Sequence, residues 1–188
     1  MVSIVQKENE ILRQIAREVT PEEIKRPALK KILRGMQVAL DSQEDGVAIA
    51  APQIGEPLRI FIVSKRIFEM EERQEEILSG KPKSNEASEV KKEEQKDMIF
   101  INPKMIKLSR EKKLMEEGCL SVRWVYGKVK RSVKAIIEAQ NEKGELIKRG
   151  ASGLLAQVFQ HELDHLEGTL FIDKAVDIKE VKPEGEYA

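Results

Sequence analysis

The sequence predicts an α+β fold in which small mixed or antiparallel sheets surround one central helix. Two observations predict it. The stretch GLLAQVFQHELDHLEG, Gly153 to Gly168, repeats Leu154, Leu155, Val158, Phe159, Leu163 and Leu166 near helical spacing, with no proline and a glycine at each end. Around it lie only short β-like runs: LRIFIVS from Leu58, MIFIN from Met98 and KAIIEA from Lys134.

In chain order, Ile11, Leu12 and Ile15 offer a short apolar anchor within a mixed N-terminal stretch. Thr20-Pro21-Glu22-Glu23 has the form of a helix start, with threonine as cap and proline in the first turn. Leu29, Ile32, Leu33, Met36 and Leu40 then recur at three and four, one face of a second helix that ends in the polar run Asp41 to Asp45. The segment Gly46 to Gly55, GVAIAAPQIG, is built of small residues. It suits a tight core crossing or a place where backbone approaches a ligand, and within it the lone amide of Gln53 needs a partner. Leu58 to Ser64 reads as a buried strand.

Residues 66–97 are almost entirely charged or small, so they are expected to form a solvated, mobile insertion opening with a helical piece from Arg66 to Leu78. Met98 to Asn102 reads as a strand, Asn102-Pro103 as a turn, and Met105 to Leu108 as a further strand. Glu116 to Val122 contains Cys119 at the start of a short apolar run, where a free cysteine is commonly a buried small hydrophobe. Lys134 to Ala139 and Glu145 to Lys148 flank Asn141-Glu142-Lys143-Gly144, a hairpin pattern. Thr169 to Ile172 makes a last apolar contact before a polar tail, Asp173 to Ala188. Residues 1–188 are expected to form one domain.

Lysine plus arginine equal aspartate plus glutamate at 33 each in 188 residues, so the formal net charge is zero. That removes the electrostatic case for direct nucleic-acid recognition. No apolar run is long enough to span a bilayer, and the N-terminal stretch has no signal-peptide core. A single cysteine cannot close an internal disulfide, which suits a reducing cytoplasm.

Within the central helix His161 and His165 stand four residues apart, about 40° in azimuth and roughly 6 Å along the axis. Both imidazoles can meet one ion, with Glu162 beside them: the H-E-x-x-H pattern of a hydrolytic zinc or iron site. These are the chain's only histidines. A third protein ligand is needed, with one position left for water. A zincin-like peptidase would take a downstream carboxylate, among Asp173, Asp177, Glu180, Glu184 and Glu186. Cys119 is the available soft ligand upstream.

Three motifs together resemble those of the peptide deformylase family. Glu117-Gly118-Cys119-Leu120-Ser121 is similar to its E-G-C-L-S, Gln160 to His165 to its Q-H-E-x-D-H, and Gly46 to Gln53 to its G-x-G-x-A-A-x-Q. They occur in the family's order, and the likeness spans nearly all of the chain apart from the insertion and the tail. The resemblance implies that Cys119, His161 and His165 hold one divalent ion, Fe²⁺ above all, with Zn²⁺ or another ion able to substitute. It implies that Glu162 moves the proton while the Gln53 amide and the Leu120 N–H stabilise an oxyanion. Gly46, Val47, Ala48, Gly118, Leu154 and Val158 are the expected substrate-binding residues, with Val47, Leu154 and Val158 toward the methionine side chain. The implied substrate is the N-formyl group of a nascent chain's initiator methionine. The protein would be a cytoplasmic monomer in transient contact with the ribosome, with no membrane partner.

Three departures mark this chain. Ala48 stands where the family's first motif has its second glycine, Arg123-Trp124 stand where a proline is common, and the insertion is longer than usual. None removes a ligand or the glutamate. A non-enzymatic interaction module would have no need of Glu162 and Gln53, since neither is required to hold the metal.

Overall fold

Thr20 starts the first helix, α1 (Pro21–Ile24), by a reciprocal capping box: its Oγ1 accepts the Glu23 N–H at 3.3 Å and Glu23 Oε2 accepts the Thr20 N–H at 2.9 Å. α2 (Pro27–Asp41) buries Leu29, Leu33, Met36 and Leu40 along one face, as its spacing requires. The computed structural model describes residues 2–79 and 96–181, so the later part of the expected insertion (80–95) and the end of the tail (182–188) lie outside the described residues.

One antiparallel sheet runs in the order β1 (Ala48–Ala50), β2 (Ile60–Val63), β3 (Met98–Leu108), β6 (Lys134–Gln140) and β7 (Leu146–Ser152). A second joins β4 (Lys112–Cys119), β5 (Val122–Ser132) and β8 (Val176–Glu180), again antiparallel. The histidine-bearing helix, α4 (Gly153–Leu166), is continuous as its periodicity predicts. Strand β2 is buried on both faces because its alternate residues serve two cores. Phe61 and Val63 pack with Leu155, Phe159 and Leu163 of α4, while Ile60 and Ile62 pack with Leu33, Met36 and Leu40 of α2. Phe61, Phe100 and Phe159 close the first core, with ring centroids 4.7 Å apart for Phe61–Phe100 and 5.3 Å for Phe100–Phe159.

Asn102-Pro103 is not a turn between two strands. Met98 to Leu108 is one strand with an irregularity between Ile101 and Lys104, where Asn102 adopts φ +52°. The Asn102 amide donates to Val19 O and Gln140 Oε1 and its oxygen accepts the Val19 N–H, so tertiary bonds hold the bulge. Strands β4 and β5 extend far beyond the short apolar run around Cys119. Part of the polar tail is also strand, because β8 pairs with β5. The opening of the insertion is helical, as expected, in α3 (Arg66–Ser79), but it is not wholly solvated: Ile67 is buried and Phe68 packs against the core, while Glu69 and Met70 face solvent. The Asn141 turn is as expected, with Asn141 Oδ1 accepting the N–H groups of Lys143 and Glu145 and Gly144 at φ +82°.

Candidate metal centre

His161 and His165 occupy the last two turns of α4, and the β4–β5 hairpin brings Cys119 beneath them. Cys119 is the last residue of β4, at a register shift in which Gly118 pairs with Tyr126 and Cys119 with Val122. Glycine is needed at 118 because a Cβ there would lie 2.9 Å from the Tyr126 ring. The ligand atoms of Cys119, His161 and His165 all lie within 4.8 Å of one another, and Cys119 Sγ stands 3.2 Å from His165 Nε2. A tetrahedral ion would set a sulfur and a nitrogen ligand roughly 3.5 Å apart. The three residues fit one ion.

The sulfur's surroundings favour a thiolate. Ser121 N–H and Gln53 Nε2 point at it, at 3.4 and 3.5 Å. Burial pushes the Cys119 thiol up, but the His165 charge and the hydrogen bonds of both histidines outweigh that and bring it down to about 5. Gln53, the odd amide of its apolar segment, has found its partners. Its Oε1 accepts the Ala50 N–H at 2.8 Å and its Nε2 donates to Ser121 Oγ at 3.1 Å, which aims the amide at the ligand cluster.

Glu162 lies beside the histidines with its Oε2 buried and, among the described residues, without a hydrogen-bond partner, as is His165 Nδ1. Burial is the largest cause that pushes the Glu162 carboxyl up, to about 7, with the His161 and His165 charges opposing it. An acid poised there can take a proton and return it.

Two residues that carry much of the geometry were not legible as such in the sequence. Glu117 Oε2 stands 2.9 Å from His161 Nδ1, which leaves Nε2 of that ring to face the cluster. Arg131 of β5 holds Glu117 through Nε and Nη2 at 2.7 and 3.0 Å and reaches Asp164 of α4 with Nη1 at 2.7 Å. Burial alone would push the Glu117 carboxyl up; His161 and Arg131 bring it instead to about 2. Glu117 sits inside a motif and was open to suspicion on that account. Arg131 follows the run KVK and looks like one more surface charge. Gln160 ties the same helix to β5, accepting the Ser132 N–H at 3.0 Å and donating to Ser132 O at 2.9 Å.

A cleft of about 270 Å³ opens over the cluster, and all the expected substrate-binding residues line it: Gly46, Val47, Ala48, Gly118, Leu154 and Val158. Leu120 and Glu162 line it too. Ala48 begins β1, the edge strand of its sheet. At the rim, Arg123 bonds Asp45 Oδ2 at 2.8 Å, and Trp124 takes φ +63°. Of the downstream carboxylates, Asp173 is engaged with Arg13 and Asp177 with Lys128, Glu180 lies opposite Val125 where β8 pairs with β5, and Glu184 and Glu186 lie outside the described residues. Among the described residues no helix is long and apolar enough to cross a membrane.

A family model described as polypeptide deformylase matches residues 1–181. The chain is 36% identical to peptide deformylase 2 of Clostridium acetobutylicum, over 88% of this chain and 89% of that protein. It is also 36% identical to peptide deformylase 1A, chloroplastic/mitochondrial, of Arabidopsis thaliana, covering 92% of this chain but spanning only 61% of the plant protein. Among solved structures, a Met-Ala-Ser-bound class I type b peptide deformylase from Acinetobacter baumannii superposes with a TM-score of 0.73 at 28% identity, covering 92% of this chain and 97% of that one.

Proposed function

The chain belongs to the polypeptide deformylase family, and from that premise we propose that it hydrolyses the N-formyl group from the initiator methionine of nascent polypeptides, releasing formate and a free α-amine. The observation that carries this reading is the convergence of Cys119, His161 and His165 at the floor of a cleft, beside the unpartnered Glu162 carboxylate oxygen.

Cys119, His161 and His165 would hold the divalent ion, Fe²⁺ first and Zn²⁺ or another ion as a substitute. When bound, the ion supplies a water acidic enough to act as nucleophile near neutral pH. Glu162 accepts the proton released as that attack proceeds and delivers it to the departing amine, so the amine leaves neutral and the carboxyl ends in its starting state. The Gln53 amide and the Leu120 N–H are the donors for the oxyanion, a role supported by the closeness of Gln53 Nε2 to Cys119 Sγ and Ser121 Oγ, the residues on either side of Leu120. Glu117, fixed by Arg131, keeps the His161 ring in the orientation its ligand role requires.

Val47, Leu154 and Val158 form the apolar wall for the methionine side chain. Ala48, on the free edge of the first sheet, and Gly46-Val47 just before it offer backbone groups to the peptide that follows. Gly118 keeps the opposite wall low. The partner is the nascent N-formylmethionyl chain, met by a monomer in transient contact with the ribosome. This reading puts the work in the cytoplasm, where a lone cysteine stays reduced.

Replacing Glu162 by alanine tests the reading. At matched metal content, formate release from an N-formyl-Met tripeptide should fall about 10²–10⁴-fold, and neither protein should cut the peptide bond of an unformylated peptide. Undiminished formate release in the variant would sink the proposed role of Glu162. Peptide-bond cleavage by the wild type without deformylation would hand the site to a zincin-like peptidase.

A further inference from the structure

Ser152 stands at the N-cap of α4 but makes no side-chain capping bond. The N–H groups of that first turn still need acceptors. One comes from far away in sequence: Glu71 of α3 accepts the Leu155 N–H at 3.0 Å, and its Oε1 lies 3.7 Å from the point a Cβ on Gly153 would occupy. A carboxylate there also meets the positive end of the helix dipole. The start of α3 is itself anchored. Ile67 is wholly buried, and Arg66 donates to Gln43 O at 2.7 Å and Leu40 O at 3.0 Å, carbonyls at and just beyond the C-terminus of α2.

These two anchors grip both walls of the cleft. The first turn of α4, beneath Glu71, carries Leu154 into it and Val158 follows one turn on, while the loop held by Arg66 continues into Asp45, Gly46 and Val47. The reacting groups lie further along α4, His161 and Glu162 about two turns beyond Leu154 and about one beyond Val158. They are pinned separately, by Gln160 to Ser132, His161 to Glu117 and Asp164 to Arg131.

We propose that the opening of the inserted segment is a brace for the cleft, and that Glu71 is a positioning residue that fixes the Leu154–Val158 wall. Naming that wall the seat of the methionine side chain rests on the deformylase reading; the brace itself does not. Loosening the first turn of α4 displaces the wall and leaves the proton-transfer and ligand groups in place, so binding suffers before chemistry does.

The test compares Glu71→Ala, Glu71→Gln and, as a remote control, Thr20→Ala, in the metal-loaded full chain. Glu71→Ala should speed amide exchange at Leu155 about tenfold, as loss of a helix cap does. It should raise KM for a formyl-Met tripeptide about three- to tenfold, with kcat and metal content within twofold of wild type. Glu71→Gln keeps the acceptor oxygen and should recover most of both effects. Thr20→Ala, which removes the α1 cap, should leave Leu155 exchange and KM alone. Wild-type exchange at Leu155 in Glu71→Ala would overturn the brace. An equal rise of KM in Thr20→Ala, or a fall in kcat with loss of metal in place of a KM effect, would overturn the positioning role. A wild type inactive on formyl peptides but with Leu155 exchange raised in Glu71→Ala alone would defeat the deformylase reading and uphold the brace.

Discussion

Arg131 and Arg17 make the same contact with a glutamate in very different surroundings. Arg131 grips Glu117 at 2.7 and 3.0 Å with side chains 6% and 3% exposed; Arg17 grips Glu23 at 3.0 and 2.9 Å with side chains 56% and 29% exposed. At the surface, water competes for each charge and salt screens the pair, so it adds little. Under α4 neither partner can return to water. Each is instead matched several times over: Arg131 also holds Asp164, and Glu117 also meets His161 and Gln157. Burial makes the inner pair costly to break and rigid enough to orient a ligand, without making it a large net source of stability.

The largest expected effect follows from removing one inner partner. Arg131→Met would strand Glu117 without its buried cation, leave Asp164 with Lys174 alone, and should cost about 3–5 kcal/mol, read from urea unfolding. A cost no larger than that of the surface pair would erase the contrast. The double variant Arg131→Met/Glu117→Met sharpens it. Replacing both charges by apolar groups should recover most of the stability, yet His161 loses its acceptor and metal affinity should stay about 10–100-fold down. Recovery of both properties would mean that the inner pair only fills space.

The outer cluster should respond more weakly. Thr20→Ala removes half of the capping box and should cost about 1 kcal/mol, measured by the same unfolding curves. Arg17→Met should shift the melting temperature barely measurably, and high salt should abolish even that difference. The sign of its pH dependence is fixed. The Arg17 hydrogen bond, followed by the Thr20 N–H, lowers the Glu23 carboxyl from 4.5 to about 2. Whatever stability the contact gives is therefore complete above about pH 4.5 and lost as pH falls through about 2. In Arg17→Met the Glu23 titration followed by NMR should move back toward 4.5; an unmoved titration would show that the cap, not the arginine, sets it.

The sequence by itself determined whatever depends on neighbours along the chain. The four-residue spacing of His161 and His165, the apolar face of α4, the Thr20 cap and the Asn141 turn are local patterns, and a helix or turn satisfies its own backbone within a few residues. The three motifs added the third ligand through resemblance. Only the tertiary structure decided what depends on partners distant in sequence. Strands β4 and β8 are mostly exposed and rich in charge, so they show no apolar alternation. Strand β5 does alternate, but one of its inward positions is Arg131 and its outward neighbours are lysines, so the buried face is masked, and the pairing of the three is set by register with one another. Asn102 reads as a turn residue until Val19 and Gln140 arrive to hold it in a bulge. Arg131 and Glu71 look like solvated charges in the sequence, because a side chain's charge is written in its identity but its burial is not. Packing put Arg131 beneath the histidine helix and Glu71 over the start of it, and in both places an ordinary charge became a fixed support for the site.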